Sequence, residues 1–297
     1  MADVPIPLLR RRWLKEFRAI LVLALLVGAF QSFVAKLYYI PSGSMMPTLL
    51  VGDRLLVSKW PYGWSYTSPI LHLLPFIPGR VFERLPERGD IVIVTPPAAG
   101  RRGEDLIKRV IGLPGDLLEV RGGIVILNGK LVKQEWLPPL HLRADANAPC
   151  NSIHFPGALR LDPDGRYVCV LPVKRETLPN GRTYTIIDQD MRETDFYGPV
   201  RIPEGHVFLM GDNRDNSADS RVPTERNGLG GAVPIENIGG RAEFLTFSLN
   251  GSANWNPLTW PAMFRGDRTF ASLHPQRDAD ERSSPEAEKA PEPLGQT

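Results

Sequence analysis

Histidine and cysteine are scarce in this chain, five and two among 297 residues. Neither falls into HExxH, CxxC or any other cluster of metal-ligand spacing, so the sequence offers no zinc site and no redox dithiol. No metal and no cofactor is expected. A charge excess of one sign is missing too: 35 Lys and Arg face 33 Asp and Glu, for a net charge of +2. That balance leaves no global field to hold nucleic acid. Internal repeats are absent, and after the N-terminal region no long amphipathic helical period appears. With 27 glycines and 29 prolines, the chain punctuates itself into short elements, which argues against an all-α fold.

What charge there is lies unevenly. Arg10, Arg11, Arg12, Lys15 and Arg18 crowd the N-terminus, and the other end is mostly acidic (Asp278, Asp280, Glu281, Glu286, Glu288). The basic residues of 1–18 precede the run AILVLALLVGAFQSFVA from Ala19 to Ala35, which continues to Leu37, Tyr38, Tyr39 and Ile40. With Lys36 snorkelling and the tyrosines at headgroup level, 19–38 has about the ~20 residues that span hydrocarbon. A cleavable signal peptide also has a basic start, but its apolar core is shorter. The expectation is a single-pass anchor in contact with membrane lipid, basic N-terminus in the cytoplasm and the rest outside.

Beyond the anchor, short apolar runs read as strands: Arg54 to Ser58, Asp90 to Thr95, Asp105 to Ile111, Leu117 to Arg121, Val207 to Met210 and Ala242 to Phe247. Asn128-Gly129 between Ile124–Leu127 and Lys130–Lys133 signals a hairpin. The fold class is therefore mainly β: an N-terminal transmembrane helix, then an exported β-rich body over 39–121 and 201–270. A change toward Pro, Asn, Asp and Arg marks 122–200 as a smaller inserted β-rich domain. Trp60 to Phe82, rich in Trp, Tyr, Pro and Leu, reads as packing over the core or as a surface against the bilayer. The end, 271–297, reads as a disordered tail, polar and Pro-rich from Arg277 onward. Cys150 and Cys169 are either unrelated buried thiols or, outside the cytoplasm, a disulfide.

Three segments carry candidate chemistry. Ile40-Pro-Ser-Gly-Ser-Met-Met-Pro-Thr-Leu49 follows the anchor and holds Ser44 behind Gly43, which lets backbone approach closely. By itself Ser-Gly-Ser is a common loop. In Leu106-Ile-Lys-Arg-Val-Ile-Gly-Leu-Pro-Gly-Asp116, strand alternation sends Lys108 and Arg109 to opposite faces and sets Lys108 between Leu106 and Val110. Most such lysines reach water or an acid; one kept dry has its pKa lowered from ~10.4 toward ~7–8 and can take a proton from a hydroxyl. Gly211-Asp-Asn-Arg-Asp-Asn-Ser-Ala-Asp-Ser-Arg221 could be a solvated turn or the start of a calcium loop from Asp212. Against calcium, Ser217 stands where that loop needs glycine, and Arg214 and Arg221 would repel a cation.

Taken together, SGSMMPTL (Ser42–Leu49), RGDIVIV (Arg88–Val94), IKRVIGLPGD (Ile107–Asp116), GDNRDNSADSR (Gly211–Arg221) and IGGRA (Ile238–Ala242) resemble the bacterial type I signal peptidases, over roughly half the chain. The resemblance implies a serine endopeptidase of the inner membrane that removes signal peptides from exported preproteins, cutting after small residues at −1 and −3. It implies Ser44 as the acylated nucleophile and Lys108 as general base. Ser42 and the Ser44 N–H would form the oxyanion hole, and Ser217 would bond and position the Lys108 amine. Arg109, Asp212, Asp219 and Arg221 would be a supporting ionic network. Ile40, Pro41, Met45, Leu49, Leu106 and Ile107 would line shallow pockets, with substrate added as a strand beside Asp105–Lys108.

Some positions depart from the pattern. Arg221 leads into VPTERNGLGGAVP, where many relatives have a short aromatic-Gly stretch, and Leu106 stands where a tyrosine is frequent. A second anchor helix is absent. Two other readings use the same residues: a Ser-His-Asp hydrolase with His206 as base, although no Gly-x-Ser-x-Gly elbow surrounds Ser44, and a membrane-tethered β-rich adaptor without chemistry.

Overall fold

The computed structural model describes residues 6–69, 79–101, 103–151, 155–252 and 255–277. A 28-residue helix, Ile6–Phe33, leads into a seven-stranded antiparallel sheet. Its strands, in spatial order, are Ala35–Tyr39, Asp53–Ser58, Ile238–Ser248, Ile91–Val94, Leu106–Gly112, His206–Met210 and Val233–Pro234. Every strand expected for this sheet is present, with Ile238–Ser248 longer than its apolar run suggests. The body is mainly β.

The anchor expected over 19–38 is not met as drawn. The helix stops at Phe33, and Ala35–Tyr39 is an edge strand paired with Asp53–Ser58. Among the described residues no helix is long and apolar enough to cross a membrane. Lys36 lies in that edge strand, its ammonium 3.8 Å from Asp105 and 4.5 Å from the Tyr38 ring. A backbone able to pair with a waiting strand outcompetes helix continuation, and an apolar run carries no mark of that boundary.

Both faces of the sheet are covered, as the fully buried run Ile91–Val94 requires. Ile91 and Ile93 join Ile40, Met45, Leu49, Leu55 and Ile107 in one core. Val92 and Val94 join Val110, Leu209 and Ile238 in the other. Alternation thus sends neighbouring side chains to different cores.

The hairpin forms at Asn128-Gly129, where both residues take positive φ, 53° and 78°, as a two-residue turn of this type demands. It belongs to a four-stranded sheet ordered Phe196–Arg201, Leu117–Arg121, Ile124–Leu127, Lys130–Leu131. Two further small sheets are ordered Lys133–Trp136, Lys174–Thr177, Arg182–Ile186, Gln276–Arg277 and Leu140–Arg143, Tyr167–Leu171, Leu159–Leu161. Cys150 and Cys169 are joined by a disulfide with Cα atoms 5.5 Å apart, so neither is a free thiol. Residues 271–277, expected in the tail, are ordered: Leu273 is buried and Gln276–Arg277 pairs with Arg182–Thr183. The tail from 278, and the middle of the Trp60–Phe82 segment, lie outside the described residues. At the ends of that segment Trp64 stacks edge-on against Phe33 and Phe82.

Candidate active site

Ser44 sits in the turn that carries the chain from the edge strand at Tyr39 back into Asp53–Ser58. The side chains after it diverge. Met45 enters the main-sheet core, whereas Met46 enters a separate core with Leu50, Cys150, Phe155 and Cys169. Two methionines pointing into two cores clamp the turn from both sides, so the position of Ser44 is set by packing.

The 211–221 loop holds the same turn by its backbone. Asn213 donates its N–H to the Ser44 carbonyl (3.1 Å) and its side-chain amide to the Gly43 carbonyl (3.2 Å). Gly211 has no room for a side chain: a Cβ there would stand 2.5 Å from the Ser44 carbonyl oxygen and 2.2 Å from Ser217 Oγ. Glycine is needed at 211 because two backbones touch.

Lys108 comes from the central strand Leu106–Gly112, opposite Val92, and is 3% exposed. Its Nζ donates to Ser44 Oγ at 3.0 Å and to the Ile107 carbonyl at 2.9 Å. Burial pushes its pKa from 10.5 down to about 8, against the pull of Asp219 and Asp212, while Arg221 and Arg101 add to the fall. A hydroxyl and a dry amine in contact are the minimum for a serine activated by a lysine.

Arg109, on the opposite face, is 1% exposed and grips Asp212 with two bonds, Nε to Oδ1 at 2.7 Å and Nη2 to Oδ2 at 2.6 Å. Thr48 Oγ1 donates to the same carboxylate at 2.5 Å, linking it to the serine turn. Asp219 accepts two bonds from the Arg221 guanidinium (3.0 and 2.9 Å) and one from the Gly211 N–H (3.0 Å). Burial alone would raise the Asp219 pKa, but Arg221 outweighs it and holds the carboxyl below the usual range. Removing one member of such a buried pair typically costs about 3–5 kcal/mol, because the other charge is stranded.

Comparison with known proteins bears on this arrangement. The family model for "Signal peptidase, peptidase S26" matches residues 10–247. A signal peptidase I of Rickettsia typhi is 33% identical over 248 residues, 79% of this chain and 80% of that protein. The signal peptidase I of Rickettsia canadensis is also 33% identical, over 79% of this chain and 78% of its own. A solved signal peptidase I from Enterococcus faecalis is 25% identical and covers 53% of this chain and 97% of that one; its TM-score of 0.26 is too low to bear on the fold. The chain belongs to the signal peptidase family. As a member of that family it is a serine endopeptidase.

Two expectations drawn from this family do not match the geometry. Ser217 is buried, but its Oγ has no hydrogen-bond partner; it lies against Gly211, and Lys108 donates to its neighbour's carbonyl instead. Four of the anticipated pocket residues are also packed in the core. Met45 and Leu49 have no exposed surface, and Ile40 and Ile107 are buried in the same core. Leu106 packs with the core on the other face, and Asp105 is within ion-pair distance of Lys36. Pro41 and Ser42 are exposed and border a cavity of about 390 Å³ shared with Gly43, Met46, Asn147 and Pro149.

His206 takes no part. Its Nδ1 bonds the Glu204 carbonyl at 2.9 Å. It also lies at the far end of the His206–Met210 strand, about 16 Å along extended chain from the Gly211 that meets Ser44. The unusual sequence after Arg221 folds back on the loop before it: Val222 and Leu229 both donate to the Asp219 carbonyl at 3.0 Å.

Sequence reasoning missed Glu176, Tyr184 and Arg214. Arg214 pairs with both Glu176 oxygens, one bond measuring 2.8 Å, and Tyr184 donates to Glu176 at 2.6 Å. The Arg109 guanidinium lies 4.1 Å from the Tyr184 ring centre, so the two ionic networks are one. The signal available was an arginine inside a polar loop; its partner, 38 residues away in sequence, carried none.

Proposed function

We propose that the chain cleaves signal peptides from exported preproteins, with Ser44 as nucleophile and Lys108 as general base. The observation that carries this is the 3.0 Å contact between the Lys108 amine and the Ser44 hydroxyl, in a place dry enough to bring the amine to about 8.

Neutral Lys108 takes the Ser44 proton as Oγ attacks the carbonyl carbon of the signal peptide's last residue, and the carbonyl electron pair moves onto oxygen. The Ser42 hydroxyl and the Ser44 N–H are the donors proposed for that oxyanion. As the C–N bond breaks, the Lys108 ammonium gives its proton to the departing amine, leaving an ester on Ser44. Water then loses a proton to Lys108 as it attacks the ester, and the Lys108 ammonium returns a proton to Ser44 Oγ as the ester C–O bond breaks, freeing the signal peptide and restoring Ser44. Arg109, Asp212, Asp219 and Arg221 react with nothing; they hold the loop that holds the serine turn.

Substrate is proposed to add as a strand along Leu106–Lys108. His206–Met210 pairs with this strand only from Arg109 onward, which leaves the stretch before it open on that edge. Because Ile40, Met45 and Leu49 fill the core beneath, little room remains for side chains, which favours small residues at −1 and −3. Membrane attachment through the N-terminal helix is part of the same proposal: Phe17, Ile20, Leu21, Leu23, Leu25 and Phe30 are all exposed on it, an apolar surface that suits lipid. The basic residues before them favour a cytoplasmic N-terminus and a β body beyond the bacterial inner membrane.

The test is cleavage of a preprotein with an Ala-x-Ala boundary by detergent-solubilised protein. Wild type should yield a mature-size product, and Ser44→Ala should abolish it. Undiminished cleavage by folded Ser44→Ala would overturn the assignment.

A further inference from the structure

Asp188, Asp195 and Asp215 come from separate segments, yet each offers a carboxylate oxygen within 4.8 Å of the others. Asp188 follows the strand Arg182–Ile186, Asp195 ends the short helical turn Glu193–Asp195, and Asp215 lies within Arg214–Asn216. Asp195 is 2% and Asp188 9% exposed.

We propose that these three aspartates bind a divalent cation of the hard, oxygen-seeking kind, specifically calcium, which ties the 211–221 loop to the 187–195 segment.

The second observation behind this is the pair of orphaned oxygens. Asp195 Oδ2 accepts from the Arg192 N–H at 2.7 Å, and Asp215 Oδ2 accepts from Gln189 and Asp190 at 2.7 and 3.1 Å. Their other oxygens, Asp195 Oδ1 and Asp215 Oδ1, are buried with no hydrogen-bond partner. A buried carboxylate oxygen without a donor costs more than a lost hydrogen bond, because it has given up its water. The cation bonded to the cluster is the Lys174 ammonium, 2.7 Å from Asp188 Oδ2, and it leaves those two oxygens unmet. Burial raises the pKa of Asp195 and of Asp215, and the charge on Asp188 raises both further; a bound cation would reverse that.

Ligand number decides for calcium. Calcium takes several protein carboxylates in a flexible shell, whereas magnesium keeps most of its waters and is held through one or two carboxylates. Three aspartates converging on one place suit the former. This site differs from the calcium loop that the run from Asp212 suggests. Asp212 is committed to Arg109, and the ligands come from three segments instead of one. It is also independent of the chemistry at Ser44. The two meet only in the loop, where Asp215 stands two residues from the Asn213 that bonds the Ser44 carbonyl.

The experiment uses the full chain in detergent, stripped with EGTA, with calcium chloride titrated at constant ionic strength by calorimetry and by thermal unfolding. Saturable binding of one calcium is expected, with Kd on the order of 10⁻⁴–10⁻³ M or tighter, and a melting temperature that rises with occupancy. Asp195→Asn and Asp215→Asn should each weaken binding at least ~10-fold by removing a charged ligand. Lys174→Met should tighten it by removing the competing ammonium, and this variant keeps the test open if the others fail to fold. No saturable binding up to about 10 mM, well above the weakest affinities of such sites, would overturn the proposal. So would calcium affinity unchanged in all three variants, magnesium binding as tightly as calcium, or an Asp195→Asn protein that is more stable while wild type ignores calcium. That last result would show that the carboxylates share a proton.

Discussion

Two lysines in this molecule are dry to the same degree. Lys108 and Lys59 are each 3% exposed, and burial brings each from 10.5 to about 8. Around Lys59, Asp105 pulls the pKa up while Lys36 and Arg80 push it down, much as carboxylates and guanidiniums oppose each other around Lys108. What differs is the neighbour. Lys108 touches the Ser44 hydroxyl, whereas the Lys59 ammonium lies 5.9 Å from the Tyr38 ring. Desolvation makes an amine available as a base; only contact with a hydroxyl makes it useful. A perturbed pKa is a property of the site, and function depends on what stands beside it.

The largest expected effect separates the two lysines directly. Lys108→Arg should lower the cleavage rate by at least ~10⁴-fold, since a guanidinium stays protonated and cannot accept the serine proton. Lys59→Met, which removes an equally buried amine, should stay within ~10-fold of wild type on the same preprotein. Loss of activity in folded Lys59→Met would break the comparison.

Ser42→Ala comes next, because the lysines also differ in what surrounds the hydroxyl. Removing one proposed oxyanion donor should cost about 10²–10³ in kcat with KM little changed. A change confined to KM would place Ser42 in substrate binding instead.

The pH profile sharpens the comparison further. Lys108 must be neutral to act, so kcat/KM should rise with pH and level off above about 8. Below that it should fall about tenfold per pH unit as the ammonium forms. Lys59→Met should leave the profile in place. A flat profile from pH 5 to 9 would exclude a lysine base.

Much of this arrangement was legible in the sequence, and the limits have physical causes. Alternation along Leu106–Val110 put Lys108 and Arg109 on opposite faces, and burial of both faces leaves that reading intact. Asn128-Gly129 announced its own turn because positive φ at two successive residues demands such a pair. Glu176, Tyr184 and the three aspartates of the acidic cluster were not legible. Their meaning lies in contacts between distant segments, and a lone acid in a strand or turn looks like solvated surface. The family resemblance puts Met45 and Leu49 on pocket walls, and apolar residues beside a nucleophile suit a wall or a core alike; both are fully buried among core side chains. The helix end at Phe33 was hidden for a related reason, since apolar residues serve a helix in lipid and an edge strand alike.

The smallest expected effect concerns Ser217, where the family pattern and the geometry disagree. If its hydroxyl held the Lys108 amine, Ser217→Ala would strand a donor and cost stability. With Oγ buried and unbonded, the same substitution removes an unsatisfied polar atom and leaves a methyl of nearly the same shape. Ser217→Ala should therefore be as stable as wild type or gain up to about 1 kcal/mol, read from denaturant midpoints at unchanged slope. Gly211→Ala, whose new methyl would strike both Ser217 Oγ and the Ser44 carbonyl, should lose about 1–3 kcal/mol in the same assay. A Ser217→Ala loss beyond about 1 kcal/mol, the usual worth of a hydrogen bond, would show that the hydroxyl is bonded in solution. The amine would then have a positioning partner that Lys59 lacks.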